Sequence, residues 1–262
     1  MKYSYFPGCT LRNKAKDLDD YARACAEVLG FTLEELPDWQ CCGGVYPLGS
    51  DEIASKLPSV RALNEAKQHG QDMVAVCSAC YHVLKRVNDD MAHVDDIQLR
   101  ANNYMELSDN PYKGETTVLH YLEVLRDRVG FDKLKEKVVN PLTGRKIGAY
   151  YGCLLLRPSS VMAFDDPENP TIMEDFIRAL GAEPVIYPYR NECCGGYISI
   201  KDKASADKMC DRIAESAAGF EADCLVTACP LCKYNLNRSG KLPVVYFTEL
   251  LAEALGVKEG NV

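Results

Sequence analysis

The chain has 262 residues with a formal net charge of −8, and 47% of its residues are hydrophobic. This composition is typical of a globular protein and excludes collagen-like and disordered classes. The acidic balance argues against nucleic-acid binding, because no surplus of Lys and Arg is present to neutralise phosphates. No apolar run reaches the roughly 18 to 20 residues of a membrane-spanning helix, and the N-terminus has no hydrophobic signal core. We therefore expect a cytoplasmic protein with no direct membrane insertion.

The predicted elements of the first half alternate between strand and helix. A buried strand at 2–6 is followed by a helix at 13–29, whose apolar residues fall on one helical stripe. The order then continues with a short strand, a helix, a central strand, and a final strand that leads into a helix: 31–36, 55–69, 73–76 and 117–125. A polar stretch at 87–114 has no counterpart later in the chain.

The second half repeats this order. Strands are predicted at 146–152, 184–187 and 225–228, helices at 170–180 and 204–220, and a strand leading into a helix at 244–255. Strands that alternate with helices are typical of parallel α/β sheets. We therefore predict an α/β protein of two similar duplicated domains, 1–140 and 141–262, each a small parallel sheet flanked by helices.

Cysteine is the unusual component. Thirteen cysteines are about 5% of the chain, below the roughly 8–10% of small disulfide scaffolds, so metal or redox chemistry is the leading interpretation. The second half carries Cys-Cys and Cys-x-x-Cys motifs 152 residues after those of the first half. Cys153 follows Cys9 by only 144 residues, which places an eight-residue insertion near 165–170. The chain therefore contains an internal duplication.

Each half thus offers five thiols in the same order. The first set is Cys9, Cys41, Cys42, Cys77 and Cys80, and the second set is Cys153, Cys193, Cys194, Cys229 and Cys232. A Cys-x-x-Cys motif between a strand and a helix places two sulfurs at the helix N-terminus, where backbone N–H groups stabilise negative charge. Structural zinc and an ordinary cubane cluster each take four ligands, so the fifth thiol is either idle or joins two irons of an unusual cluster.

Other residues allow less specific interpretations. His82 is interpreted as a packed side chain or as a proton donor. A lone Cys-x-x-Cys is more often a redox dithiol or a zinc knuckle, but two matched sets of five argue against both. The three cysteines outside the sets are predicted to be packed thiols: Cys25, Cys210 and Cys224. Four basic side chains near the second set are solvated or meet an anionic substrate: Arg157, Arg190, Lys233 and Arg238.

The cysteine motifs resemble those of one family. The segment YFPGC ending at Cys9, CCGG at 41–44 and CSAC at 77–80 recur as YYGC ending at Cys153, CCGG at 193–196 and CPLC at 229–232. This pattern resembles the duplicated cysteine-rich CCG domain of the heterodisulfide reductase B-subunit family. The resemblance implies that each set of five cysteines binds one noncubane [4Fe–4S] cluster. It also implies a ferredoxin-like C subunit and a flavin-containing A subunit as partners.

Three functions are compatible with these residues. The first is a catalytic iron–sulfur subunit that reduces a disulfide, either the coenzyme M–coenzyme B heterodisulfide or a bacterial equivalent, with chemistry at the clusters and no catalytic side chain assigned. The second is an iron–sulfur electron-transfer subunit of a larger oxidoreductase that does not itself act on a disulfide. The third is a zinc- or thiol-stabilised interaction protein. Ten spaced thiols favour the first two.

Overall fold

Two four-stranded sheets form the centre of the molecule. The computed structural model describes residues 1–44 and 49–257. The first sheet has the order β2-β1-β3-β4 and the second the order β6-β5-β7-β8, and every pairing is parallel. The strands are β1 Lys2–Phe6, β2 Thr32–Glu35, β3 Met73–Ala75, β4 Val118–His120, β5 Lys146–Tyr150, β6 Glu183–Val185, β7 Cys224–Thr227 and β8 Val244–Tyr246.

Helices connect the strands and flank the sheets. They are α1 Gly8–Arg12, α2 Lys16–Val28, α3 Glu52–Gln68, α4 Ser78–His93, α5 Asp95–Tyr104, α6 Tyr121–Glu123, α7 Phe131–Lys137, α8 Ser159–Met162, α9 Ile172–Ala179, α10 Lys203–Gly219, α11 Pro230–Ser239 and α12 Phe247–Leu255. A π-helical stretch, Val124–Val129, extends α6, and a 3₁₀ turn occupies Ile198–Ile200. The predicted α/β class with two duplicated parallel sheets is confirmed.

Some element boundaries differ from the prediction. The helix predicted at 13–29 begins at Lys16, and a separate short helix, α1, precedes it. The polar stretch 87–114 contains the end of α4 and all of α5. The predicted strand 146–152 ends at Tyr150, because Gly152 turns the chain with a φ of +65°.

The strand order places the cysteines at a defined edge of each sheet. β1 and β3 lie side by side at the centre of the first sheet, and the chain winds outward from them in opposite directions. The crevice beyond the carboxyl ends of such a strand pair is where open α/β sheets bind ligands. Cys9 and Cys77 follow β1 and β3, and Cys153 and Cys229 follow β5 and β7.

The two halves share a hydrophobic core. Helix α12 of the second half packs against α2 of the first, and Thr248 Oγ1 donates a hydrogen bond of 3.0 Å to the Leu18 carbonyl. The Phe247 ring lies 5.8 Å from the Tyr121 ring and 6.3 Å from the Phe176 ring. The boundary between 140 and 141 stays a prediction. No helix in the described part of the chain is long and apolar enough to cross a bilayer.

Candidate metal centres

The first cysteine of each set follows the central strand of its sheet through a glycine. Gly8 has a φ of +77°, which L side chains rarely adopt, and a Cβ built on it would lie 2.5 Å from Cys80 Sγ. Gly152 has a φ of +65°, and its Cβ would lie 3.5 Å from Cys232 Sγ. In both halves the turn therefore brings backbone against the last thiol of the set, and in the first half only glycine leaves room for that sulfur.

The Cys-x-x-Cys motifs begin the helices α4 and α11. Cys77 and Cys229 are the residues immediately before these helices, and both have extended backbones. A hydrogen bond from Cys80 lowers the pKa of the Cys77 thiol, with a further contribution from backbone N–H groups in the first turn of α4. The unpaired amides of a helix N-terminus thus stabilise a thiolate here.

The Cys-Cys motifs bring their sulfurs to the other thiols. Cys41 Sγ lies 3.6 Å from Cys9 Sγ, and Cys42 Sγ lies 3.6 Å from Cys80 Sγ. The second half repeats the inner contact, with 3.4 Å between the sulfurs of Cys194 and its Cys-x-x-Cys partner. The duplication in sequence is therefore a duplication of sulfur geometry.

Hydrogen bonds between the thiols divide them into donors and acceptors. A hydrogen bond from Cys41 lowers the pKa of the Cys42 thiol to about 3, and one from Cys153 lowers the pKa of the Cys193 thiol to about 6. The donors show the opposite change, because each donates its proton to a neighbour, and the pKa values of Cys41 and Cys153 rise. These hydrogen bonds thus favour the thiolate form at Cys42 and Cys193, and thiolate is the form that ligates iron.

All five thiols of the second set line one cavity. Its other lining side chains include Tyr151, Leu154, Tyr197 and Leu231, and Ser78 reaches it from the first half. Three of the five cysteines are nearly fully buried, whereas Cys153 and Cys193 are half-buried. Because the five thiols face one cavity whose other walls are largely apolar or aromatic, the cavity suits a thiolate-ligated group.

The two cysteine sets meet at the interface between the halves. Ser78 Oγ donates a hydrogen bond of 2.6 Å to the carbonyl of Ala228, the residue before Cys229. The Tyr246 hydroxyl lies 3.0 Å from the same carbonyl and 2.8 Å from the carbonyl of Val76, the residue before Cys77. One buried tyrosine therefore bonds to the backbone at the start of both Cys-x-x-Cys motifs.

A second tyrosine joins the sets at their rim. The hydroxyl of Tyr197, three residues after Cys194, donates a hydrogen bond of 3.2 Å to the carbonyl of Gly44. Burial raises the pKa of Tyr197, and negative charge on cysteines of both sets adds to this rise. Sequence reasoning missed Ser78, Tyr197 and Tyr246. The first two lie in or beside the cysteine motifs, but no sequence signal marks Tyr246.

The three cysteines outside the sets are buried as predicted. Burial raises the pKa of Cys25 and of Cys210 to about 12, and the Cys210 thiol donates a hydrogen bond of 3.3 Å to the Cys194 carbonyl. Cys224 begins β7 and is 5% exposed. None of the three adds a sulfur to either set.

His82 and the four basic residues near the second set have partners within the protein. His82 is buried, with Nδ1 3.0 Å from the Leu154 carbonyl, which is consistent with the packed interpretation. Each of the four basic residues near the second set forms an ion pair with an acidic side chain: Arg157, Arg190, Lys233 and Arg238. The described residues contain no group of three or more His, Cys, Asp or Glu side chains arranged to hold a single metal ion.

Comparison with known families finds one family model that matches both halves of the chain. A family model described as a cysteine-rich domain, CCG, matches residues 3–85 and 147–237. The chain belongs to the CCG cysteine-rich domain family. The duplicated CCG pattern inferred from the cysteine spacing is thereby confirmed.

Relatives of this CCG protein align over almost its whole length. It is 33% identical to the 8-methylmenaquinol:fumarate reductase membrane anchor subunit of Wolinella succinogenes, over 98% of this chain and 93% of that one. It is 27% identical to the B subunit of a ferredoxin/F420H2-dependent CoB-CoM heterodisulfide reductase of Methanosarcina acetivorans, over 97% and 89%. It is 28% identical to a protein of Archaeoglobus profundus described as similar to the heterodisulfide reductase B subunit, over 98% and 91%.

A solved structure shares the fold. A hypothetical protein from Helicobacter pylori superposes with a TM-score of 0.73 at 14% identity, covering 98% of this chain and 49% of that one. At this level of identity the likeness establishes the fold alone.

Proposed function

We propose that the chain is the disulfide-reducing iron–sulfur subunit of a heterodisulfide reductase-type oxidoreductase complex. Its relatives include named B subunits of such reductases, and the CCG family accounts for both halves. The observation that carries the proposal is the junction of two complete cysteine sets, where Tyr246 bonds to the backbone before both Cys-x-x-Cys motifs. A substrate at this junction would meet both sets at once.

The donor sets fit iron–sulfur clusters. Each set supplies five sulfurs and no other ionisable ligand, and most of these sulfurs are buried. The ligands of the two clusters, which we propose to be noncubane [4Fe–4S] clusters, are Cys9, Cys41, Cys42, Cys77 and Cys80 in the first half and Cys153, Cys193, Cys194, Cys229 and Cys232 in the second. When bound, such clusters supply one-electron transfer.

The chain's own residues would hold and shield these ligands. Gly8 leaves space for the Cys80 sulfur, and the first turn of α4 directs N–H groups at the Cys77 thiolate. Tyr246 and its neighbours exclude water from the backbone behind both motifs, because they occupy the carbonyls that water would otherwise solvate.

The overall reaction is balanced by two electrons and two protons. The bond R–S–S–R′ is broken, two electrons enter, and each sulfur takes one proton to give RSH and R′SH. The electrons come from partner subunits, which we propose to be a ferredoxin-like C subunit supplied by a flavin-containing A subunit. The coenzyme M–coenzyme B heterodisulfide or a bacterial equivalent is the proposed substrate.

A second candidate is an iron–sulfur subunit that relays electrons without acting on a disulfide. It is favoured by the relative named as a fumarate reductase membrane anchor subunit, which aligns along nearly the whole chain. In that case electrons pass through the cysteine sets to or from a partner, and no thiol product forms.

One experiment separates the two. The full chain is purified by itself without oxygen, iron and sulfide are determined, and the oxidised protein is examined by electron paramagnetic resonance with and without a thiol. Disulfide reduction predicts about eight irons per chain, a thiol-dependent signal, and disulfide-dependent oxidation of reduced methyl viologen. Eight irons without a thiol-dependent signal or turnover would support the relay. Zinc without sulfide would exclude both.

A further inference from the structure

The buried cysteine of the second Cys-Cys motif contacts a side-chain amide. Asn235, on α11, is 1% exposed, and its Nδ2 lies 3.9 Å from Cys194 Sγ and 3.5 Å from the Cys194 carbonyl. The amide therefore donates an N–H toward the sulfur of a proposed cluster ligand. Neither the cysteine spacing nor the helix pattern marks this residue.

The equivalent position in the first half carries no amide. The offset of 152 residues pairs Cys194 with Cys42 and Asn235 with Val83. Val83 is fully buried, and its side chain has no N–H to donate. The contact between the buried cysteine and the last thiol of its set is alike in the two halves, 3.6 Å in the first and 3.4 Å in the second. The side-chain amide is thus a difference between two cysteines with matched sulfur contacts.

Packing alone does not account for Asn235. Its Oδ1 is buried and has no hydrogen-bond partner among the residues that the structure describes. A buried acceptor without a partner lowers the free energy of unfolding, and an apolar side chain of similar size avoids that loss. Val83 shows that the fold accepts an apolar side chain at this position. The N–H, and not the volume of the side chain, is therefore what Asn235 adds to the second set.

An N–H directed at a ligating sulfur affects a cluster in one direction. Reduction adds one negative charge, part of which lies on the sulfur ligands, so the hydrogen bond stabilises the reduced form more than the oxidised form and raises the reduction potential. Solvent exposure raises it for the same reason. The second set is the less exposed, because Cys153 and Cys193 are half-buried whereas Cys9 and Cys41 are exposed. Burial therefore lowers the potential of the second cluster relative to the first, and the amide opposes this effect.

We propose that Asn235 acts through Cys194 to raise the reduction potential of the cluster in the second set, which brings it closer to the potential of the more exposed first cluster. The inference rests on the two clusters of the proposed function. Clusters of similar potential supply their electrons with similar driving force, which suits the cleavage of one sulfur–sulfur bond by one electron from each.

The test measures the potential of one cluster at a time. Cys42→Ser retains the second cluster and Cys194→Ser retains the first. Each full-length protein is titrated with dithionite and ferricyanide, without thiol or disulfide, and followed by electron paramagnetic resonance. In the Cys42→Ser background, Asn235→Leu and Asn235→Val are expected to lower the equilibrium constant for reduction about threefold to tenfold, which is about 30–60 mV at about 59 mV per tenfold change. The difference between the potentials of the two clusters should widen by the same amount.

Two side-chain shapes separate the hydrogen bond from packing. Leu and Val fill the position differently but both lack the N–H, so similar decreases support the hydrogen bond. The Cys194 carbonyl keeps a partner in both variants, because the Cys210 thiol also donates to it at 3.3 Å. Asn237→Leu removes an exposed amide from the same helix and should leave the potential unchanged.

Five results would each overturn the inference. They are an unchanged potential in both Asn235 variants, a decrease in only one of them, an equal decrease in Asn237→Leu, loss of the second cluster from both Asn235 variants, and a narrower difference between the potentials of the two clusters. Loss of the cluster would assign Asn235 a role in assembly and not in the potential.

Failure of this inference is distinguishable from failure of the proposed function. If both Asn235 variants lower the potential but the chain reduces no disulfide, the effect of Asn235 stands and the reductase function fails. If the chain reduces disulfides and both Asn235 variants keep the unsubstituted potential, the reductase function stands and the inference fails. A chain that binds no iron would overturn both.

Discussion

The two halves carry the same five thiols but expose them differently. Cys9 and Cys41 are exposed in the first half, whereas Cys153 and Cys193 are half-buried in the second. The insertion near 165–170 is bonded to the loop that carries Cys193. Asn191 Nδ2 donates a hydrogen bond of 2.9 Å to the carbonyl of Pro167, which ties the inserted turn to the loop that carries Cys193.

This contrast indicates a division of roles after duplication. The cysteine geometry is retained in both halves, because the inner sulfur contacts are 3.6 Å and 3.4 Å. What differs between the halves is the exposure of the outer cysteines, Cys9 and Cys41 against Cys153 and Cys193. The more exposed set is the first, so we expect substrate and solvent to reach the cysteines of the first half more readily than those of the second.

The largest effects are expected from removing one thiol of each buried pair. Cys42→Ser and Cys194→Ser should each lose about half of the iron and sulfide, because each disables one set and leaves the other intact. The measurement is iron and acid-labile sulfide after anaerobic purification, with Cys25→Ser, outside both sets, as the control. Unchanged iron in either variant would contradict the ligand assignment.

The same pair of variants tests the difference in exposure. The cluster that remains in Cys194→Ser occupies the more open first set, so it should lose iron in air several times faster than the cluster that remains in Cys42→Ser. The loss is measured as the decrease in absorbance near 400 nm. Equal rates in the two variants would show that the two sets are equally accessible to oxygen.

The next largest effect concerns the glycines before the first cysteines. Gly8→Ala places a Cβ 2.5 Å from Cys80 Sγ, whereas Gly152→Ala places one 3.5 Å from Cys232 Sγ, an ordinary contact. Both substitutions incur the strain of a positive φ, about 1–2 kcal/mol. Only Gly8→Ala must also displace a thiol, so it should lower the iron content by up to half while Gly152→Ala leaves it intact. Similar iron contents would show that the first set tolerates a shifted Cys80.

Two buried tyrosines, Tyr151 of the second half and Tyr5 of the first, provide a third comparison between the halves. The Tyr151 hydroxyl donates to Glu174 and also accepts a hydrogen bond of 2.9 Å from the Met173 amide. The Tyr5 hydroxyl donates to Asp19, which keeps Arg23 as a second partner. Tyr151→Phe leaves the Met173 amide without its partner and leaves Glu174 with Arg190 alone, whereas Tyr5→Phe only removes one of the two partners of Asp19.

Each unsatisfied buried group costs about 1–3 kcal/mol. We therefore expect Tyr151→Phe to lower the free energy of unfolding by about 2–4 kcal/mol and Tyr5→Phe by about 1–2 kcal/mol. Urea unfolding of samples with equal iron content gives both values. A larger decrease in the free energy of unfolding for Tyr5→Phe than for Tyr151→Phe would mean that the buried hydrogen bond of the first half contributes more to stability, which would contradict this prediction.

The sequence predicted the fold and the grouping of the thiols because both depend on local patterns. Alternation of strand and helix identifies the sheets, and the offset of 152 residues identifies the two sets. The paired sulfurs then follow from the topology, since β1 and β3 are neighbours and Cys9 and Cys77 follow them. The prediction of a helix starting at 13 failed by a few residues, because α1 ends at Arg12 and α2 begins only at Lys16.

The relation between the halves was not accessible from the sequence. Tyr246 lies 170 residues from Val76, and no periodicity links them. The contacts of Tyr81 and His82 with the backbone of the second half were equally hidden, because they join residues more than 70 positions apart. Contacts between duplicated units depend on their relative placement, which strand and helix patterns do not encode.

The smallest effect is expected at the rim. Tyr197 reaches from the second half to the Gly44 carbonyl of the first, and it is 37% exposed. Because water can replace this hydrogen bond, Tyr197→Phe should lower the free energy of unfolding by less than about 1 kcal/mol. Tyr104→Phe, on the exposed surface of α5, is the matched control and should have no measurable effect.

The size of the Tyr197→Phe effect tests which hydrogen bonds between the halves contribute most to stability. Tyr246 is fully buried, and its two acceptor carbonyls would lose a partner that water cannot replace. If the loss for Tyr197→Phe exceeded about 2 kcal/mol in urea unfolding, more than water-replaceable hydrogen bonds cost, the rim and not the buried tyrosine would hold the two cysteine sets together. The positions of the cysteines in the more exposed first set would then depend on contact with Tyr197 of the second half, and so would their exposure.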